Sequence, residues 1–171
     1  MPATLAGFPA PVDLELAPPQ ALLNLLATVG PISTPWSGFA RALMTEGRLP
    51  PVWRELAILR VGARKGCDYV LSGHLPMARY AGVSEDRVAS ALGQLFPEPS
   101  DLALLGAVDE LLEVGRVSRE TRQLLKGILS DEELIELAML TGQYVLVSML
   151  CETFDLRPEP AGTLESHVGR P

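Results

Sequence analysis

Apolar residues recur at three- to four-residue spacing through most of the chain, and proline, glycine and capping residues cut that pattern into helix-sized pieces. A first amphipathic segment follows Pro18-Pro19 and stops near Gly30-Pro31. A second starts between Ser33 and Trp36 and ends before Gly47. From Pro51 the run VWRELAILRVGAR reaches Lys65-Gly66, a short polar break able to turn the chain back. CDYVLSGHLPMARYAG then forms the return helix, closed by Gly82, and two helices joined this tightly are expected to pack antiparallel. Ser84 before Glu85 and Asp86 opens the next helix, Ser100 before Asp101 another, and Ser118 one more. A capping box from Ser130 to Glu133 introduces the longest helix, which runs toward Phe154 and cannot pass Pro158 and Pro160. No stretch reads as a sheet. The pattern predicts an all-α helical bundle built on antiparallel helix hairpins over residues 19–158, between an irregular leader at 1–18 and a loose polar tail at 159–171.

The long helix is apolar on nearly every side from Leu137 to Cys151, broken only by Thr141, Gly142, Gln143 and Ser148. It reads as too short and too polar for a membrane span. A helix without a polar face must be covered all round, at the centre of the bundle or by another subunit. An internal echo touches the same helix: ELAIL at 55–59 returns as ELAML at 136–140, and YVLSGHL at 69–75 as YVLVSML at 144–150. The offset between copies falls by six, as the loss of a turn between two helices would do. In the second copy Gly142 stands for Cys67 and Met149 for His74, so packing alone does not demand those polar groups.

Composition narrows the function classes. A chain of 171 residues fits one domain with a real core, and 47% hydrophobic with 5% aromatic residues makes that core one of Leu, Ala and Val. A net charge of -7, with 14 Lys and Arg scattered along the chain, argues against nucleic acid as a partner. The leader has no basic start and its apolar residues are broken by proline, so it reads as neither signal peptide nor anchor. The two cysteines are then expected as reduced thiols in the cytoplasm.

Candidate chemistry gathers around residue 67. Cys67 follows Arg64 and Lys65 at a helix start, where unpaired amides, the helix dipole and nearby cations favour the nucleophilic thiolate. Cys151, deep in an apolar helix, fits better the common fate of a small buried hydrophobe. His74 lies two turns beyond Cys67, roughly 10 Å along the axis, and leans back toward it, leaving a gap that a water or small substrate could fill. Pro76 removes the bond that Ser72 would accept and should kink the helix beside His74. Glu55 has Val52, Ile58 and Leu59 as helical neighbours and so lies on or beside a buried stripe, where its charge needs a partner. In the hairpin it stands nearly level with His74, and a Glu55–His74 hydrogen bond would orient the imidazole as base; pairing of Glu55 with Arg54 or Arg60 is the structural alternative. Tyr69 points roughly 160 degrees away from the Cys67 face and is taken first as a packing residue. One Cys and one His do not make a zinc site, no glycine-rich phosphate loop or nucleophile elbow is present, and neither metal nor cofactor is expected.

The stretch LPPVWRELAILRVGARKGCDYVLSGHLPMARYAGVS resembles the core of the carboxymuconolactone decarboxylase and alkylhydroperoxidase D superfamily, and the resemblance runs from about Ala21 to Pro158. It implies an alkylhydroperoxidase D-like helical bundle, usually assembled as a homo-oligomer such as a dimer, trimer or hexamer. The family pattern of Glu, eleven residues, Cys, two residues, Cys, three residues, His falls on Glu55, Cys67, Val70 and His74, so the second cysteine is absent. For the peroxidase branch the resemblance implies Cys67 as nucleophile with Glu55 and His74 as proton relay, and an external thiol or Cys151 to resolve the sulfenic acid. For the decarboxylase branch it implies a cofactor-free lyase with His74 as general acid, and Arg60 or Arg64 holding a carboxylate. Tyr69 joins the two arginines as a candidate substrate contact. Peroxiredoxin-like antioxidant activity on a small-molecule substrate is the leading expectation. A lactone decarboxylase and a non-catalytic oligomeric ligand-binding protein are the alternatives.

Overall fold

In a computed structural model residues 20–158 are described, so the expected leader at 1–18 and the tail at 159–171 lie outside the described residues. The described chain is all α-helical: α1 (Gln20–Ala27), α2 (Ser33–Thr45) after a 3-10 turn at Gly30–Ile32, α3 (Pro51–Lys65), α4 (Asp68–Tyr80), α5 (Glu85–Ala91), α6 (Pro99–Val114), α7 (Arg119–Leu125) and α8 (Asp131–Thr153). The ends follow local chemistry. Ser84 and Ser118 accept from the backbone N–H three residues on. Ser130 and Glu133 form the full capping box, the Ser130 N–H donating to Glu133 Oε2 at 2.7 Å and the Glu133 N–H to Ser130 Oγ at 3.2 Å. One start differs from expectation: α6 begins at Pro99 with Glu98 as N-cap. Proline at the first helical position has no N–H to leave unpaired and its φ is already helical. Asp101, expected to help open that helix, is fully buried and accepts from Nε and Nη2 of Arg87, each at 2.7 Å, tying α5 to α6.

The centre of the bundle is α3. Glu55, Leu56, Ala57, Ile58 and Leu59 are buried in unbroken succession, followed by Val61 and Gly62, because α4, α5, α6 and α8 surround the helix. The sequence left α8 to be covered either at the centre of the bundle or by another subunit, and the structure gives the centre to α3. Leu137, Leu140, Val147 and Cys151 of α8 pack inward, while Ile135, Met139, Leu146 and Met149 are exposed. By length and composition α8, with a mean hydropathy of 1.7 over its best 18 residues, could cross a membrane, against the expectation above. A core helix passes the same test, and α8 packs against α2, α3, α4 and α6. Both segments of the echo that fall at 136–150 lie in this one helix, where their counterparts are divided between α3 and α4.

The α3–α4 hairpin closes as the Lys65-Gly66 break suggested. Gly66 adopts φ 64°, a left-handed conformation that side chains disfavour, and the Cys67 N–H donates back to Gly62 O at 2.9 Å. Gly62 then lets the two helices approach: a Cβ there would meet Leu71 at 2.9 Å and Val70 at 3.2 Å. Pro76 lies inside α4, which continues through it to Tyr80 with Leu75 and Ala78 buried on either side.

Candidate functional site

The hairpin sets Glu55 and His74 level, and Glu55 Oε2 lies 2.8 Å from His74 Nδ1. Glu55 is 1% exposed and His74 13%, so a carboxylate with almost no water contact holds an imidazole near the surface. Arg54 reaches the other carboxylate oxygen, Nε to Oε1 at 3.4 Å. Both cited alternatives for Glu55 are therefore realised in part: it pairs with His74 and with Arg54. Arg60 turns elsewhere.

The second imidazole nitrogen meets a residue the sequence did not single out. Tyr144 Oη of α8 lies 2.9 Å from His74 Nε2, and the two rings pack edge to face with centroids 4.9 Å apart. Burial first, and then the Glu55 charge, hold the Tyr144 phenol well above its ordinary range, with Arg54 pulling the other way. Tyr144 is a neutral hydroxyl at any physiological pH. Its O–H also reaches Met44 Sδ of α2 at 3.5 Å. The chain is satisfied in two protonation states. With a neutral imidazole, Nδ1–H donates to Glu55 and Nε2 accepts from Tyr144; with both nitrogens protonated, Nε2–H donates to the phenol oxygen and the hydroxyl turns to Met44. A site with two satisfied states can take up and release a proton without stranding a buried polar group.

The sulfur atoms form a separate rung. Cys67 is the N-cap of α4 and Cys151 lies in the last turn of α8; both are free thiols and both are 0% exposed. Burial first, and then the charge of Cys67, push the Cys151 thiol up to about 12. Neither ring nitrogen of His74 bonds to Cys67, since Glu55 and Tyr144 occupy them. The single hollow expected to hold acid, imidazole and sulfur is resolved into two rungs, seven residues apart on α4 (67 and 74) and seven apart on α8 (144 and 151). Antiparallel helices in register give this ladder naturally, because seven residues return to the same face.

The remaining candidates are turned to structural duties. Arg60 donates to Asp109 of α6 at 2.9 and 2.6 Å, and Arg64 bonds to Glu113 and sits 3.3 Å from Asp109. Tyr69 is buried, with its hydroxyl accepting the Leu22 N–H at 3.2 Å, which pins α1 to α4. The cation on the Glu55 carboxylate is Arg54. A groove of about 400 Å³ between α6 and α8, lined by Leu111, Leu112, Ala138, Gly142 and Val145 among others, touches neither Glu55 nor His74. Among the described residues no three His, Cys, Asp or Glu side chains cluster as a metal ion would require. Of the residues missed, Tyr144 carried a signal: it opens the second copy of the echo, YVLVSML, in a helix otherwise nearly free of polar groups.

Residues 33–110 match the model of the carboxymuconolactone decarboxylase family. No curated protein matches the chain. Among solved structures the fold is similar to that of a protein of unknown function from Agrobacterium tumefaciens, named as a candidate antioxidant defence protein, AhpD, with a TM-score of 0.58 and 20% identity over 83% of this chain and 88% of that one. The segment that matches the carboxymuconolactone decarboxylase family model is thus the one whose antiparallel hairpin carries the Glu55–His74 pair.

Proposed function

We propose that the chain is a thiol-dependent, peroxidase-type antioxidant protein that reduces a small hydroperoxide, with Cys67 as nucleophile and Glu55 and His74 as proton relay. One observation carries the proposal: two turns along α4 from the Cys67 N-cap stands a carboxylate–imidazole–phenol chain satisfied in two protonation states. Hydroperoxide cleavage needs a sulfur to attack one oxygen and a proton for the alkoxide that leaves. Cys67 sits in the turn joining α3 and α4, so access for a small oxidant asks for opening of a helix end and leaves the core intact. Reduced cysteines suit the cytoplasm, where we place the protein. The exposed apolar residues Ile135, Met139, Leu146 and Met149 suit a homo-oligomer, and Met149→Glu is expected to reduce the mass measured by light scattering. The deciding experiment is mass-spectrometric alkylation mapping after cumene hydroperoxide treatment. Cys67 is expected to lose its free thiol, and a Cys67 that stays reduced and slow to alkylate at neutral pH removes the proposal.

A second reading is a cofactor-free lactone decarboxylase with His74 as general acid or base. It is favoured by the bonding of His74 to Glu55 and Tyr144, with neither sulfur among its partners, and by Arg54 as a cation near a substrate carboxylate. It predicts that Cys67→Ser keeps full activity and His74→Ala does not.

A further inference from the structure

The groove of about 400 Å³ between α6 and α8 runs into a second of about 480 Å³, and the two share Leu111 and Ala138. Together they make one trough beside α8, lined by Gly142 and Val145 in one half and by Val117, Leu134 and Ile135 in the other. Lys65, in the last turn of α3, lines one half, and Arg122 of α7 the other. We propose that the trough is the docking site of this chain's own leader, the segment VDLEL at 12–16, with its valine and leucines on the apolar floor and its two acids at the cationic rim. The trough does not include Met139, Leu146 or Met149, the residues assigned above to a homo-oligomer.

Charge selects the occupant. Arg54, Arg60, Arg64, Arg79 and Arg87, on α3, α4 and α5, each have a carboxylate partner. Among the described residues the side chains of Lys65 and Arg122 have none, and neither do those of Arg116, Arg119 and Lys126. Arg119 and Arg122 stand one turn apart on α7 and Lys126 is its C-cap, so their charges reinforce one another. Asp131, at the start of α8, is the acid of the trough and makes no ion pair. In a chain of net charge -7, unpaired cations gathered beside an exposed apolar trough call for an occupant that is both apolar and acidic.

VDLEL has that character residue by residue. In an extended chain alternate side chains point to opposite sides, so Val12, Leu14 and Leu16 share one side and Asp13 and Glu15 the other. Long Lys and Arg side chains can lie over such a segment and meet its acids from the rim. Pro11 before it and Pro18-Pro19 after it disfavour a helix there. Reach and direction fit as well. The leader joins α1 at Gln20, and α1 is pinned beside the α3–α4 turn by the Leu22 N–H donating to Tyr69 Oη at 3.2 Å, four residues past Lys65. The four residues from Leu16 to Gln20 span up to about 14 Å. Glu15 then enters at the Lys65 end, and Asp13 lies toward Arg122. Five extended residues cover about 13 Å, and α8 rises about 10 Å from Gly142 to Ile135.

The test uses the full chain with a cysteine added to the leader and another to the trough, Leu14→Cys with Ala138→Cys, oxidised by copper phenanthroline and mapped by peptide mass spectrometry under non-reducing conditions. Ala138 is exposed, so its substitution leaves the packing of α8 in place, and the two native thiols are buried. Expected is a cross-link between positions 14 and 138 in a product of one chain's mass. It should fall at least about tenfold when Tyr80→Cys, 85% exposed at the last residue of α4, replaces Ala138→Cys. With Ala138→Cys alone, modification of that position by N-ethylmaleimide is expected to be slow, and about tenfold faster once Leu14→Asp and Leu16→Asp are added. Lys65→Glu with Arg122→Glu should speed it likewise, and Asp13→Lys with Glu15→Lys on top of that pair should slow it again. A cross-link only between two chains overturns the proposal. So does a modification rate that ignores the leader variants and rises on dilution, which gives the trough to a second copy. Fast modification in every variant without a cross-link overturns it as well.

Discussion

The two rungs of the α4/α8 seam are built from the same helices at the same spacing, yet they solve opposite problems. At His74 every polar atom finds a partner, and the network reaches the surface through an imidazole that is 13% exposed. At Cys67 and Cys151 the groups are weakly polar and wholly sealed. A carboxylate and an imidazole can be buried only inside a complete hydrogen-bond chain, whereas thiols tolerate hydrocarbon and become costly only when ionised. The polar rung is therefore held by hydrogen bonds and the cysteines by apolar packing.

That contrast can be broken by substitution. The largest expected effect is on activity: Cys67→Ser abolishes hydroperoxide reduction while costing about 1–3 kcal/mol of stability, since the swap keeps the shape but buries a hydroxyl. Retained turnover in that variant would move the chemistry to the polar rung. Glu55→Ala is expected to have the largest effect on stability, lowering the unfolding free energy by about 3–5 kcal/mol in urea titration, because it strands the His74 Nδ1–H and the Arg54 guanidinium in a buried setting. Should it cost no more than Cys67→Ser, the polar rung is not a demanding network. His74→Ala is expected to slow turnover by about 10²–10⁴, the ordinary contribution of a placed acid or base. Tyr144→Phe removes one hydrogen bond and keeps the ring, and should cost about 0.5–1.5 kcal/mol with a smaller rate loss.

The smallest effect sharpens the sulfur side. Burial raises Cys151 from 9.0 to about 12 in the folded chain, so the folded state holds its proton more tightly than the unfolded one. Its contribution to stability is complete below pH 9 and is lost as pH rises from 9 toward 12. Cys151→Ser should flatten that part of the stability curve relative to wild type. Equal alkaline slopes in thermal scans would mean that the thiol is more open to water than its burial implies.

Helix boundaries were legible because they are written in local chemistry. Ser84, Ser118 and Ser130 cap where their side chains reach the backbone three residues on, and Pro51, Gly66 and Gly82 punctuate as their dihedral preferences require. The start of α6 slipped because two N-terminal signals, Pro99 and Ser100, compete at adjacent positions. The Glu55–His74 pair could also be read, since one short turn fixes the register between them. Tyr144 and the duties of Arg60 and Arg64 could not. Their partners lie on other helices, 49 to 70 residues away, and nothing in a single chain's periodicity says which arginine faces α6 or which face of α8 slides along α4.

The sequence by itself determined the helices, the hairpin and the acid–imidazole pair that the hairpin brings level, because each depends on interactions within one or two turns of chain. Only tertiary packing decided that α3 and not α8 is the enclosed helix, that a phenol completes the hydrogen-bond chain at His74, and that both cysteines are buried. Those outcomes depend on how whole faces fit against one another, and that fit is settled by the shape of every neighbour at once.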